Sequence, residues 1–130
     1  MEQSVIYVKD IMTNQVISVD SSVSVNDAAK MMENSEVGAI IVMEGNEPRG
    51  IITDRDFAIK IAAHAYPIDT PVRRVMSTPL ITIGPEELIS VAADLMSTRK
   101  IRKLPVMDED KIIGIVTATN LVDHQLHSLN

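Results

Sequence analysis

Cysteine is absent from the 130 residues, which excludes disulfides, thiolate zinc sites and cysteine nucleophiles. Aromatic side chains are nearly absent as well. Phe57, Tyr7 and Tyr66 are the whole set and there is no tryptophan, so the chain has little with which to stack the bases of a single strand. Positive charge is in deficit: the net charge is −6 and the isoelectric point about 4.9. That balance lacks the basic footprint of a nucleic-acid binder and reads as a device for solubility. Long apolar runs are missing too. No window reaches the roughly 18 residues needed to cross a bilayer. The opening "MEQSVIYVKD" has neither the basic start nor the apolar stretch of a secretory signal. A cytoplasmic protein without membrane contact is expected. Catalytic patterns are equally scarce, with no Walker-type glycine loop and no Ser–His–Asp arrangement, and no enzyme is expected.

What is present is a large apolar fraction, 45% of the chain, mostly Val, Ile, Met and Ala. It is arranged in a repeat. Moved by 64 positions, Val8–Thr13 falls on Val72–Ser77, Val16–Val19 on Leu80–Ile83, and Val25–Met32 on Ile89–Met96. Further along, Ile41–Glu47 falls on Pro105–Lys111 and Gly50–Asp56 on Gly114–Asn120. No gap is needed, and eleven identities fall between Val8 and Phe57. Duplication accounts for this better than chance.

Each copy reads as strand, helix, strand, strand, helix. The first strand is Val16–Val19 or Leu80–Ile83. The helix carries Val25, Ala28, Ala29 and Met32 at helical spacing, matched by Ile89, Ala92, Ala93 and Met96. Ser24 with Asp27 suits a helix cap. Strands at Ala39–Met43 and Gly50–Ile52 flank "EGNEPR", whose Gly45 and Asn46 favour a hairpin turn. "DRDFAIKIAAHA" and "ATNLVDHQLHSL" close the copies, and "AYPIDTP" reads as the linker. A copy of about 60 residues has a marginal core alone. The expected architecture is therefore α/β (α+β), with repeats over 8–66 and 72–128 packed face to face as one pseudo-twofold module with a cleft on each side.

The two turns "GIITDRD" and "GIVTATN" concentrate the chemistry. Thr53 with Asp56, and Thr117 with Asn120, fit helix caps, and acidic side chains suit the positive end of a helix. The same features suit a ligand. Spare N–H groups attract phosphate, a carboxylate one turn on can accept from both hydroxyls of a ribose, and the leading glycine permits close approach. Arg55 opposes the helix dipole and is explained better by a nearby phosphate than by capping. Other groups carry less. Asp54 and Asp56 lack a partner for acid–base work. His124 and His127 beside Asp123 read as polar surface before they read as a metal site. The methionines read as core filling, and "STRKIRK" is the solvated end of a helix unless Arg102 and Lys103 meet phosphate.

With the repeat in place, the pattern resembles a tandem pair of CBS domains, a Bateman module, from about Val8 to about His124. The resemblance is carried by the two G-h-x-[ST]-x-x-[DN] turns, by "IRKLPVMDEDK" before the second, and by "DIMT" and "RVMS" opening the copies. It implies a regulatory module without cofactor or metal that binds AMP, ADP or ATP and transmits ligand state to an unidentified regulated protein. S-adenosylmethionine or a dinucleotide is the alternative ligand, and a structural dimerisation module with vestigial sites the alternative role. It also implies a homodimer formed through helices. Carried over residue by residue, one cleft takes ribose and phosphate at Thr53, Arg55 and Asp56, with adenine near Ser77, Leu80, Ile101 and Arg102. The other uses Thr117, Thr119 and Asn120, with Arg102 and Lys103 towards phosphate and adenine near Thr13, Val16, Val37 and Gly38. Asn120 lacks the charge-assisted strength of a carboxylate, so Asp56 marks the stronger ribose site.

Overall fold

Alternation and helical spacing dictate most of the elements found. A computed structural model of the chain describes residues 5–128, and side chains up to residue 126. The described residues divide into two compact units. Ile17–Leu80 form one; the described residues up to Val16, together with those from Ile81 onward, form the other. The unit boundaries are thus offset from the sequence repeats. The segment that opens each copy folds with the sheet of the other copy.

In the unit Ile17–Leu80, strand β1 (Ser18–Asp20) runs parallel to β2 (Ala39–Glu44), and β2 pairs antiparallel with β3 (Glu47–Thr53), which runs straight into the short helix α3 (Asp54–Asp56). Helix α2 (Val25–Ser35), which follows a short α1 (Val8–Ile11) of the other unit, lies between β1 and β2 in the chain. The Ser24 hydroxyl accepts from the Asp27 N–H at 3.1 Å and caps it. Val25, Ala28 and Met32 of its apolar stripe are buried with Val19, Ile40, Val42, Ile52, Val72 and Val75. Residues of the size of Ile40 and Ile52, wholly buried, each contribute about 1.5–3 kcal/mol. The β2–β3 hairpin turns at Gly45, whose φ of 64° is the left-handed region glycine reaches without cost. The expected linker is tied down: Thr70 is buried, its carbonyl accepts from Val25, and its hydroxyl donates to the Pro67 carbonyl.

The other unit repeats the plan. Helix α4 (Ile89–Arg99) precedes the hairpin β4 (Lys103–Asp108) and β5 (Lys111–Thr117), and α5 (Ala118–Ser128) closes it. Its core gathers Val8, Ile83, Ala92, Met96, Leu104, Val106 and Val116. The expected strand Leu80–Ile83 shrinks to one parallel bridge, Ile83 to Val106, where Gly84 and Pro85 break the run at once. The expected strand Val16–Val19 likewise shifts to Ser18–Asp20. Exposed Asp20 accepts from the Ser22 hydroxyl and N–H, which hold its carboxyl below the usual range.

One local rule is broken in the second copy. Leu88 stands at the α4 N-cap where the first copy has Ser24, and makes no side-chain cap. Ser24→Ala is expected to cost about 1 kcal/mol, and Leu88→Ser to gain about 0.5–1 kcal/mol, in denaturant unfolding. Effects of opposite sign on the two helices follow from capping alone.

Candidate functional site: the two helix-entry turns

Both turns begin where a strand runs into a helix, and their backbone bonds are superimposable in pattern. At the end of β3 the Thr53 N–H donates to Asp56 Oδ2 at 2.8 Å, and the Thr53 hydroxyl donates to the same oxygen at 3.1 Å. The Asp56 N–H returns to Thr53 Oγ1 at 3.3 Å. At the end of β5 the Thr117 N–H donates to Asn120 Oδ1 at 2.8 Å, and the Asn120 N–H to Thr117 Oγ1 at 3.0 Å. These are reciprocal capping boxes, so the capping reading of both turns holds. The carbonyl of Gly38 accepts from Asp54 N–H, and that of Arg102 from Ala118 N–H. Val37 and Ile101 precede these carbonyls and pack on the two cores, each with its N–H closing the end of the helix before it.

Capping leaves different atoms over. Asp56 is 9% exposed. Its Oδ2 is used by Thr53, while among the described residues its Oδ1 meets only the Lys60 ammonium, at 3.4 Å. Asn120 must turn its oxygen to the Thr117 N–H, so its amide NH₂ is the group left for anything else. The first turn therefore offers an acceptor and the second a donor. Arg55 and Thr119 are exposed, and among the described residues the Arg55 guanidinium has no partner.

The repeat glycine has a different occupant from the one its sequence suggests. A Cβ on Gly50 would lie 2.8 Å from both the Ser77 carbonyl oxygen and Met76 Sδ. One on Gly114 would lie 2.9 Å from the Thr13 carbonyl oxygen and 2.6 Å from Met12 Sδ. The close approach is made by the protein's own "MS" and "MT" segments. Ser77 pairs with Ile51 through two bonds of 2.8 and 3.2 Å, and Thr13 with Ile115 through two of 2.8 and 2.9 Å.

The unit Ile17–Leu80 thus brings together Thr53, Asp56, Gly38 and Ser77. Ser77 and Leu80, which the sequence numbers with the second copy, fold onto the first. Because Ser77 pairs antiparallel to β3, the chain then runs away from Thr53. Leu80 lies at the hairpin end, in a crevice of about 450 Å³ with Met76, Pro79, Pro48, Arg49 and Glu44. The other unit brings together Thr117, Asn120, Arg102 and Thr13, with Lys103 opposite Thr117 in the β4–β5 register. Val16 ends its opening segment.

One residue escaped the sequence reading. Lys60 donates to Ser77 Oγ at 3.0 Å and to the Val75 carbonyl at 3.2 Å, besides its contact with Asp56. The spacing Asp56–Lys60, one helical turn, was the available signal. It was hidden in a helix that reads as apolar, and the chain here winds as a π-helical stretch over Phe57–Ala62. Among the described residues no three His, Cys, Asp or Glu side chains cluster as metal ligands, and no helix is long and apolar enough to cross a membrane. The His127 side chain lies outside those described.

Comparison with known proteins bears on this arrangement. The family model for the CBS domain matches twice, over residues 8–63 and 72–127. The chain is 39% identical over 119 residues to the CBS domain-containing protein YhcV of Bacillus subtilis, covering 92% of this chain and 85% of that one. It spans smaller parts of longer relatives, 52% of one and 23% of another. Among solved structures it is similar to the hexameric CBS-CP12 protein of bloom-forming cyanobacteria, at 26% identity and a TM-score of 0.89 over 99% of this chain and 77% of that one. It is also similar to the CBS domain pair of protein MJ0100, solved with 5′-methylthioadenosine and S-adenosyl-L-methionine, at 26% identity and a TM-score of 0.87 over 96% and 99%. The fold so matched is non-catalytic. Two strand–helix–strand–strand–helix repeats, each with the same threonine turn leading into its closing helix, make this chain a member of the CBS-domain family with two CBS domains in tandem.

Proposed function

We propose that the chain is a regulatory module that binds an adenosine-containing ligand, AMP, ADP or ATP, at the two helix-entry turns and passes the ligand state to a partner protein. The observation that carries this is the spare chemistry of the first turn. Asp56 keeps one carboxylate oxygen for a ribose diol after capping is satisfied, and Arg55 stands beside it without a partner among the described residues. Thr53, Gly38 and Ser77 complete that side. Thr117, Thr119 and Asn120, with Arg102 and Lys103 towards phosphate and Thr13 nearby, form the second. Val37, Ile101, Val16 and Leu80 are proposed to border the base. A donor amide serves a diol less well than a carboxylate does, so the Asp56 turn ranks first.

Support from relatives is chemical: the similar MJ0100 pair was solved with two adenosine derivatives. The same support favours S-adenosylmethionine as the second ligand reading. Ligand would act by population shift, favouring the arrangement it binds better. The helices also carry exposed apolar side chains, Ile59, Val122 and Leu126, and a homodimer through them is part of the proposal.

A thermal-shift screen tests the reading, because a ligand that binds only the folded state must raise its stability. AMP, ADP or ATP at about a hundredfold excess over Kd should add roughly 2.7 kcal/mol. No shift with any adenosine compound would favour the purely structural dimerisation role. Arg55→Ala should leave the melting temperature of the free protein within about 2 °C, since exposed residues outside caps and cores contribute within about 0.5 kcal/mol. It should weaken the phosphate-bearing ligands and spare adenosine.

A further inference from the structure

Capping does not require Lys60, which reaches the first turn from the helix that follows it. Its ammonium has three N–H bonds and meets three acceptors: Asp56 Oδ1 at 3.4 Å, Ser77 Oγ at 3.0 Å and the Val75 carbonyl at 3.2 Å. The side chain is 38% exposed and Asp56 12%, so the pair is screened only in part. The turn itself, Asp54–Arg55–Asp56, carries one negative charge in excess. Lys60 cancels it. The repeat-related turn, Ala118–Thr119–Asn120, is uncharged and has His124 at the position of Lys60.

Resting on the site reading above, we propose that Lys60 sets the ligand selectivity of the Asp56 site. Its charge allows the carboxylate to hold a ribose diol without making the site attractive to cations. The 5′ substituent of a ribose bound at Oδ1 lies within the roughly 8 Å screening length of the ammonium. A 5′-phosphate is accepted there and a 5′-sulfonium is opposed. The site therefore selects adenosine 5′-phosphates over S-adenosylmethionine.

The test compares AMP, neutral 5′-methylthioadenosine and S-adenosylmethionine by calorimetric titration. Lys60→Met should raise affinity for S-adenosylmethionine relative to AMP about tenfold, the scale of one partly screened charge at this range, with 5′-methylthioadenosine between them. Lys60→Arg should keep the wild-type ratio. Asp56→Asn with Lys60→Met should restore it to within about threefold, because the turn then carries the same net charge as the native one; Asn120 shows that an amide can hold such a turn. Lys60→Gln serves as the second neutral variant should the methionine variant fail to fold. An unchanged ratio in Lys60→Met and Lys60→Gln, or a ratio the double variant does not restore, overturns the assignment while leaving the site reading intact. Wild-type protein that binds none of the three overturns both.

Discussion

Gly50→Val and Gly114→Val are each expected to lose about 3–4 kcal/mol of stability, the sum of an overpacked contact and two backbone bonds. The reason is local and severe. The first side-chain carbon would stand 2.8 Å from the Ser77 carbonyl oxygen in one unit and 2.9 Å from the Thr13 carbonyl oxygen in the other. A methionine thioether can swing aside, but a carbonyl held in a strand bridge cannot. Relief of the steric clash requires breaking the paired bonds between Ile51 and Ser77, or between Ile115 and Thr13. Gly50→Ala combined with Met76→Ala should therefore remain destabilised. Recovery of wild-type stability would show that only the methionine matters. Gly84→Ala is the control. The nearest atom to its Cβ is 3.8 Å away, so its cost should stay under about 0.5 kcal/mol. Chemical denaturation of the four variants separates these cases. A melting-temperature drop of roughly 10 °C for the valine variants is the corresponding thermal result.

Asp56→Ala is expected to act twice. It removes the acceptor of the Thr53 N–H and hydroxyl and the counter-ion of Lys60, in a nearly buried position. Loss of a cap with an unsatisfied donor left behind costs about 2–3 kcal/mol. It also removes the only oxygen proposed for the ribose, so adenosine ligands should weaken by at least about tenfold. Asp56→Asn distinguishes the two effects. The second turn already uses an asparagine oxygen for the same bond, at the same 2.8 Å, so the amide variant should lose under about 1 kcal/mol while still binding ligand less well. If Asp56→Asn were as unstable as Asp56→Ala, the carboxylate would be held by Lys60 rather than by the cap.

Local chemistry made much of this legible in the chain. The offset of 64 residues exposed the duplication, helical spacing found α2 and α4, and Gly45 marked the hairpin. The pairing of Thr53 with Asp56 was readable because capping joins residues three apart. The exchange of opening segments was not. Nothing local tells Met76–Ser77 to pair with Ile51 rather than with a strand of its own copy, since β pairing over such a separation is decided by the packing of whole units. The repeat glycine was legible as a point of close approach but not as to what approaches. Lys60 was missed because its partners, Ser77 and Val75, lie some fifteen to seventeen residues on. The strand at Leu80–Ile83 failed because an apolar alternation that ends in Gly84–Pro85 supports a single bridge and no ladder.

The central claim is that the two threonine turns hold an adenosine ligand, with Asp56 as the stronger anchor. Calorimetric titration of AMP into the wild type, Asp56→Asn and Asn120→Ala tests it most directly. The account predicts saturable binding to the wild type, a loss of about tenfold in Asp56→Asn, and a smaller loss in Asn120→Ala. Equal losses in the two variants would contradict the ranking of the turns, and undiminished binding in both would contradict the site itself.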